Sequence, residues 1–190
     1  MRSKSIDIIH EEHRALAAML SGMNALVKSI AAGRLEPDFE LLGAMIEYID
    51  KVPEVVHHPK ENDYLFARLR ARCSAAVAVI EQLEAEHAEG AARIAALRAA
   101  LENYQRTGAA GLADFDATLK AYTEQEWHHM NTEERQVFPL AQKHLTAEDW
   151  AEIDAAFVAN GNPWAGPAGD YAALFTKIVN IAPAPVGLGG

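Results

Sequence analysis

Cysteine is nearly absent from this sequence: Cys73 is the only one among 190 residues. One thiol cannot form an internal disulfide, and it cannot supply a metal site that needs several thiolates. Long apolar runs are absent as well. The N-terminal residues become charged too early for the apolar segment of a signal peptide, and no later run approaches the length of a membrane span. We therefore expect a cytoplasmic protein that does not bind membranes.

Basic residues are scarce, with 17 Lys and Arg against 27 Asp and Glu and a formal net charge of -10. Such a surface repels phosphate backbones, so we expect no binding of nucleic acids. The sequence also contains no Ser-His-Asp or Cys-His arrangement and no glycine-rich loop of the kind that binds phosphate groups. These absences argue against a hydrolase or a kinase.

Apolar residues recur in steps of three and four along the first part of the chain, which is the pattern of a helix that buries one face. Ser5 is predicted to cap this helix and Gly33 to end it. A histidine, His13, interrupts the stripe and is therefore predicted to lie in the core. The apolar members of the stripe are Ile6, Ile9, Leu16, Leu20, Met23, Val27 and Ile30.

Three further helices have the same spacing and lie at about residues 38–72, 74–106 and 112–140. A kink or break is expected in the first of them, because Pro53 and Pro59 each lack a backbone N–H. A glycine-bearing loop at residues 107–111 separates the other two. Four long amphipathic helices with short connections predict an all-α fold, namely an antiparallel up-down-up-down four-helix bundle.

We place the bundle in residues 1–145 and a C-terminal extension in residues 146–190. Thr146 is predicted to cap a shorter helix that ends near Asn160. A Gly/Pro-rich tail with one more apolar segment follows, and the extension is expected to pack on the bundle. Three of its aromatic residues would pack within the chain or, alternatively, form a homodimer contact: Trp150, Phe157 and Trp164.

Two segments can be aligned without a gap: HHPKENDYLF, which starts at His57, and HMNTEERQVF, which starts at His129. In each, a glutamate follows the histidine by four positions, and a phenylalanine follows the glutamate by five. Residues four apart on a helix are neighbours on one face, so a metal ion can take a nitrogen and an oxygen from each segment. His144 and Glu148 have the same spacing, but a helix start separates them, and we expect no metal there.

A Glu-His pair lies on the helix before each segment, so the chain resembles two copies of a helix pair. Folding the copies together would bring four histidines and two glutamates to one level of the core. Each of them alone would be an ordinary core histidine or a member of a helix ion pair. Together, and without a metal, they would leave buried charges in need of other partners, so we predict a metal site. The residues are Glu12-His13 and Glu86-His87 in the pairs, and His57, Glu61, His129 and Glu133 in the segments.

The order single His, His-x-x-x-Glu, single His, His-x-x-x-Glu resembles the hemerythrin-like (HHE cation-binding) family over about residues 5–145. The resemblance implies a non-haem centre of two iron ions, bridged by the carboxylates of Glu61 and Glu133 and by an oxo or hydroxo group. Nitrogen and carboxylate ligands without thiolate suit iron, and they also admit manganese or zinc. The resemblance implies as terminal ligands the imidazoles of His13, His57, His87 and His129.

The sequence departs from the oxygen carriers of this family at one position. The carriers use a fifth histidine on the third helix, four residues after the first, and here that position holds Ala91. A fifth nitrogen would come from His58, which follows His57, or from His10, which lies about one turn before His13. Of these two we favour His58.

The resemblance implies two classes of function. We favour a protein that binds iron and a small ligand (oxygen, nitric oxide or peroxide) for sensing, for storage or for the handling of iron and oxygen stress. The alternative is a di-iron enzyme that reduces oxygen, peroxide or nitric oxide, or that repairs iron centres. Ala91 argues against a dedicated oxygen carrier. The sequence does not decide between the two classes.

Overall fold

The computed structural model of the protein describes residues 3–163, 171–182 and 187. All regular secondary structure in these residues is helical, and none of these helices is long and apolar enough to cross a membrane. In chain order the α-helices are α1 (Lys4–Ala31), α2 (Phe39–Ile49), α3 (His58–Lys60), α4 (Ala67–Arg72), α5 (Val77–Thr107), α6 (Ala109–Thr132), α7 (Phe138–His144), α8 (Ala147–Val158) and α9 (Ala172–Ile181).

Four helices form a closed ring in which α1 packs along α2, α2 along α5, α5 along α6 and α6 along α1. Consecutive helices are therefore neighbours, as short connections between antiparallel helices require. This arrangement confirms the predicted four-helix bundle. The apolar core inside it consists of two clusters. Helix α1 contributes Ile9 to one cluster and Leu16 to the other, and the buried His13 lies between them.

The start of α1 differs from the prediction, because Ser5 lies inside the helix and does not cap it. Helix α1 begins at Lys4, and a carboxylate from α8 occupies the position of the cap. Asp154 accepts the backbone N–H of Ser5 at 2.8 Å and the hydroxyl of Ser3 at 2.7 Å. A negative charge at this end is favourable because it faces the positive end of the helix dipole. The predicted end of α1 at Gly33 is confirmed, with φ at +67°.

Replacing Asp154 with alanine should lower the free energy of unfolding by about 1 kcal/mol, the usual effect of losing a helix cap. The loss should be measurable by chemical denaturation. Asp114→Ala is the matched control, because Asp114 is exposed on α6. The control should change the free energy of unfolding by less than about 0.5 kcal/mol. Equal effects of the two substitutions would mean that Asp154 does not stabilise the start of α1.

Of the kink or break expected at the prolines, a break does not occur, because residues 39–72 stay helical throughout. Two wider π-helical turns, Asp50–His57 and Glu61–Phe66, flank the short α3. The first of them contains Pro53, whose ring would collide with the carbonyl four residues earlier in a regular α-helix. A third π-helical turn, Glu133–Val137, joins α6 to α7. Such turns are frequent at functional sites, and here two of them begin at the motif glutamates.

The connection between α5 and α6 is shorter than the predicted loop. It consists of Gly108 alone, which has a φ of +60° that favours glycine. The predicted cap of α8 is confirmed, because Thr146 and Asp149 form a reciprocal capping box.

The C-terminal extension contacts the bundle through two helices. Helix α8 packs along α1, and α9 packs along α1 and α2. Phe157 of α8 is fully buried, and Trp150 is partly buried against the same apolar cluster. Trp164 lies outside the described residues.

Candidate metal centre

A layer of buried polar side chains lies between the two apolar clusters, at the level of His13. The four predicted histidine ligands, the two motif glutamates and His58 form this layer, and they come from four helical segments. The layer is unusual because charged and polar groups are almost never buried without partners. Its members are His13 from α1, His57, His58 and Glu61 from the π-helical region after α2, His87 from α5, and His129 and Glu133 from the end of α6.

The first of two groups in this layer contains His58, Glu61, His87 and His129, whose ligand atoms all lie within 4.8 Å of one another. The Nε2 atoms of His87 and His129 are 2.9 Å apart. Two nitrogens that bind one ion at a right angle, each at about 2.1 Å, lie about 3.0 Å apart. The spacing of these two imidazoles therefore suits a single metal ion between them.

The second group contains His13, His57, Glu61 and Glu133, again with ligand atoms within 4.8 Å of one another. Glu61 belongs to both groups. The two groups are therefore adjacent, and together they bring seven of the eight candidate residues into one layer.

Each motif carboxylate faces both groups. Oε1 of Glu61 lies 3.3 Å from Nε2 of His57, and its Oε2 lies 3.7 Å from Nε2 of His87. Glu133 is arranged in the same way: Oε2 lies 3.2 Å from Nε2 of His13, and Oε1 lies 3.3 Å from Nε2 of His129. One oxygen of each carboxylate thus points to each histidine group, as carboxylates that bridge two cations do.

Several polar atoms at the centre of the layer make no hydrogen bond. Both oxygens of Glu61, both oxygens of Glu133 and Nε2 of His13 are buried without a hydrogen-bond partner among the described residues. The 3.2 Å contact between His13 and Glu133 is close but lacks the angles of a hydrogen bond. Buried carboxylates without such partners are strongly unfavourable unless cations compensate them. The residues present therefore fit a metal centre.

Burial and neighbouring charged groups shift the pKa values of the side chains in the layer. Burial raises the pKa of Glu61 to about 7, and the nearby carboxylate of Glu133 adds to the shift. Burial alone would also raise the pKa of Glu133, but the imidazole of His129 holds it well below its usual range. Burial, together with the neighbouring His58 and His129, lowers the pKa of His87 to about 2. His87 is therefore a neutral imidazole, the form that binds metals.

Every histidine in the layer has its outer nitrogen, Nδ1, held by an oxygen, so that Nε2 faces the centre. Such contacts fix the tautomer and orientation of a metal-binding imidazole and raise its basicity. The Nδ1 contacts are His57 to Glu12 at 2.6 Å, His129 to Glu86 at 2.7 Å, His87 to Asn62 at 2.8 Å, His13 to Glu134 at 2.9 Å and His58 to Glu54 at 3.3 Å.

These outer contacts follow the sequence repeat, although none of them was predicted from the sequence. The glutamate of each Glu-His pair contacts the motif histidine of its own copy, Glu12 with His57 and Glu86 with His129. The residue after each motif glutamate contacts the first histidine of the other copy. Asn62 and Glu134 occupy these matching positions, so the gapless alignment held the signal that could have identified them.

Only one of the two candidates for a fifth nitrogen ligand lies among the residues of the two groups. His58 lies in the first group, where its ring stacks on His87 with centroids 4.1 Å apart. His10 lies outside both groups, and its Nδ1 is 3.2 Å from the partly exposed Glu134. Ala91 is exposed, while the neighbouring Gly90 is buried. The first buried position of α5 after His87 is therefore a glycine, Gly90.

Replacing Gly90 with alanine should weaken metal binding by the first group, which contains His58. A β-carbon at Gly90 would overlap the carboxylate of Glu54, which holds Nδ1 of His58. Glu54 is flexible at that end and can move away, so the fold should survive, and alanine should add up to about 1 kcal/mol of helix propensity. Without the contact between Glu54 and His58, the metal affinity of the first group should fall roughly 10-fold, measured by competition with a chelator.

Gly43→Ala is the control for this experiment, because nothing lies near a β-carbon at Gly43 in α2. It should raise stability similarly and leave metal affinity unchanged. Equal metal affinity in the two variants would contradict the orienting role of Glu54.

A small cavity adjoins both groups. It is lined by four imidazoles and by apolar side chains, and the fully buried Glu126 also lines it. Burial raises the pKa of Glu126 to about 7, and one of its oxygens has no hydrogen-bond partner in the described part of the chain. The apolar residues that line the cavity are Leu16, Val52, Pro53 and Met130.

Comparison with known proteins agrees with this geometry. The model of the hemerythrin HHE cation binding domain matches residues 4–141. A search of curated proteins and a search of solved structures found no match. The family match covers the four helices and all seven residues of the buried layer. The chain therefore belongs to the hemerythrin HHE cation-binding domain family.

Proposed function

We propose that this protein binds two iron ions side by side in the buried layer. The observation that supports the proposal is the position of two buried carboxylates, Glu61 and Glu133, each with one oxygen toward each histidine group. Both carboxylates would be shared by the two ions. His58, His87 and His129 would hold one ion, and His13 and His57 would hold the other.

The two ions would have unequal surroundings. Three imidazoles and two carboxylate oxygens supply five ligands to the first ion, and two imidazoles and two oxygens supply four to the second. Iron usually accepts about six ligands in sites of nitrogen and oxygen donors. The ion at His13 and His57 would therefore be the one with more room for an added ligand.

The cavity favours a small added ligand. Leu16, Val52, Pro53 and Met130 line it with apolar groups next to the imidazoles. Such a cavity admits a small uncharged molecule and provides few hydrogen bonds for a larger polar one. We therefore propose that oxygen or nitric oxide binds here, and that the protein serves in sensing, in storage or in the handling of iron and oxygen stress.

One observation favours an enzyme as the second candidate. Glu126 borders the cavity, and burial raises its pKa to about 7, so it can hold or release a proton near neutral pH. Reduction of oxygen or peroxide to water consumes protons. Glu126 would therefore supply protons in a di-iron reductase, a role that a ligand-binding protein does not need.

The metal part of the proposal is tested by iron analysis of protein reconstituted with ferrous iron under anaerobic conditions. We expect two irons per chain, because the layer contains two adjacent groups that share Glu61. A single tightly bound zinc, with no uptake of iron, would overturn the di-iron proposal.

The ligand part is tested by absorption spectroscopy of the reduced protein. The protein is mixed with oxygen or nitric oxide and then purged with argon. A spectrum that returns to that of the reduced protein supports reversible binding. A permanently oxidised product supports the enzyme, and in that case Glu126→Gln should slow the reaction by removing the proton donor.

A further inference from the structure

We infer that Asn160, in the C-terminal extension, is a positioning residue of the metal centre that acts on His57 through Glu12. The inference rests on the proposed function, in which His57 binds a metal. Asn160 lies beyond residues 4–141, the region that matches the family, so the family match does not account for it.

A continuous chain of contacts connects Asn160 to the layer. Its Nδ2 donates to Oε1 of Glu12 at 2.7 Å, and Oε2 of Glu12 lies 2.6 Å from Nδ1 of His57. Nε2 of His57 in turn faces Glu61 at 3.3 Å. Both Glu12 and Asn160 are buried. The carboxylate of Glu12 thus has one oxygen on the imidazole and the other on the amide.

The orientation of the amide is defined by its second partner. Lys60 donates through Nζ to Oδ1 of Asn160, so the NH2 group of the amide faces Glu12. Glu12 must remain a carboxylate to accept from both the amide and the imidazole. Its pKa is lowered although burial alone would raise it, because His57 and Asn160 hydrogen-bond to it.

The end of α8 is fixed in place on both sides of Asn160. The backbone N–H of Asn160 donates to the carbonyl of Phe157 at 2.9 Å, and Phe157 is fully buried. Gly161 follows with a φ of +81°, which favours glycine and turns the chain away from the helix. The hydroxyl of Tyr48 then donates to the carbonyl of Pro163 at 3.2 Å. Asn160 is therefore held at a defined position against Glu12.

The other copy of the repeat explains why an outside residue is needed. Glu86 corresponds to Glu12, and its Oε1 accepts from Gln82, one turn earlier on the same helix, at 2.8 Å. The equivalent position before Glu12 holds Ile8, which has no side-chain donor. The first copy thus lacks its own amide donor for the glutamate, and Asn160 supplies one from the extension.

The expected consequence is confined to one of the two ions. A carboxylate that holds the outer nitrogen of a metal-binding histidine makes that histidine a stronger ligand, and loss of such a contact usually costs 10–100-fold, in round terms, in metal affinity. Without Asn160, one oxygen of Glu12 loses its buried donor and the side chain is free to turn. His57 would then be less well oriented, while His87 and His129 keep their own partners.

The test uses the full-length protein loaded with ferrous iron under anaerobic conditions, and it follows iron release to an excess of a ferrous chelator. Asn160→Ala and Asn160→Asp are compared with the wild type. Asparagine-to-aspartate keeps the shape of the side chain and removes the donor. The control is Asn131→Ala, because Asn131 is exposed and its amide donates to the backbone carbonyl of Trp127 on its own helix. Unfolding temperatures of the metal-free proteins are recorded in parallel.

We expect one of the two irons to leave about 10–100-fold faster in both Asn160 variants, with the other iron and the Asn131 variant unchanged. Wild-type release rates for both irons would overturn the inference. So would faster release of both irons together with a lower unfolding temperature of the metal-free protein, since a purely structural residue would give that result.

A second measurement keeps the inference testable if the wild type takes up no iron. In metal-free protein labelled with 15N-histidine, NMR can detect the proton between Nδ1 of His57 and Glu12, and His57→Ala assigns it. Loss of this signal in the Asn160 variants, but not in Asn131→Ala, would support the positioning role even if the proposed function failed. Retention of the signal in all variants would overturn it.

Discussion

Replacing Glu133 with alanine should release both metal ions of the proposed di-iron centre. One oxygen of Glu133 lies 3.3 Å from His129 in the first histidine group, and the other lies 3.2 Å from His13 in the second. In the proposed centre, its removal would take a ligand from each ion and leave Glu61 as the one bridging carboxylate of the described layer. Metal analysis after desalting should therefore fall from about two ions per chain, as bridging carboxylates imply, to nearly none.

His144→Ala is the control for this experiment. His144 has a glutamate four positions later, as the motif histidines do, but it lies in neither histidine group. It should keep its full metal content. Retention of one tightly held ion in Glu133→Ala would contradict a bridging role and would make Glu133 a ligand of a single ion.

The repeat was the most informative feature of the sequence. A spacing of four between His57 and Glu61 places both on one helix face whatever the details of the fold, because the spacing depends only on local geometry. The same holds for His129 and Glu133. Amphipathic stripes predicted the bundle, which is confirmed, and the structure brings seven of the eight candidate residues into one layer, with His10 outside it.

The π-helical turns were not predicted from the sequence. Pro53 and Pro59 predicted a kink or break, but residues 39–72 stay helical, and a wider π-helical turn contains Pro53. No periodicity distinguishes such a turn from a regular helix over so few residues. The turn Glu133–Val137 contains no proline, but Pro139 follows it at the start of α7 and cannot donate a hydrogen bond to the carbonyl of Arg135. This local signal was not used in the prediction.

Contacts between distant segments were also missed. Ser5 looked like a helix cap because serine often is one, whereas the cap is Asp154, which lies 149 residues later in the sequence. Asn160 likewise reaches Glu12 across 148 positions. Both depend on how α8 docks on α1, and docking is set by the shape of the whole surface rather than by any local pattern.

Removal of the metal should lower the unfolding temperature strongly. Ligand binding at a free concentration 1,000 times the dissociation constant stabilises a protein by about 4 kcal/mol. For a chain of this size, each kcal/mol corresponds to roughly 2–4 °C, so the metal-free protein should unfold roughly 8–16 °C lower. The difference is measured by circular dichroism on heating, with and without ferrous iron under anaerobic conditions.

Glu61→Gln should weaken metal binding without lowering the stability of the metal-free protein. In the metal-free protein, Glu61 and Glu133 are buried next to each other, and their four oxygens lack hydrogen bonds within the described structure. Glutamine has the same size and carries no charge, so it removes the repulsion from Glu133. The metal-free variant should therefore unfold at the same temperature as the metal-free wild type or at a higher one.

Iron should add little to the stability of Glu61→Gln, because a neutral amide is a poor bridge between two cations. Glu124→Gln is the matched control: Glu124 is exposed on α6, so this variant should keep the full stabilisation by iron. If the Glu61 variant were stabilised by iron as much as the wild type, the carboxylate of Glu61 would not be needed to hold the metals. If its metal-free form unfolded well below the metal-free wild type, Glu61 would instead contribute to the fold through contacts other than those with a metal.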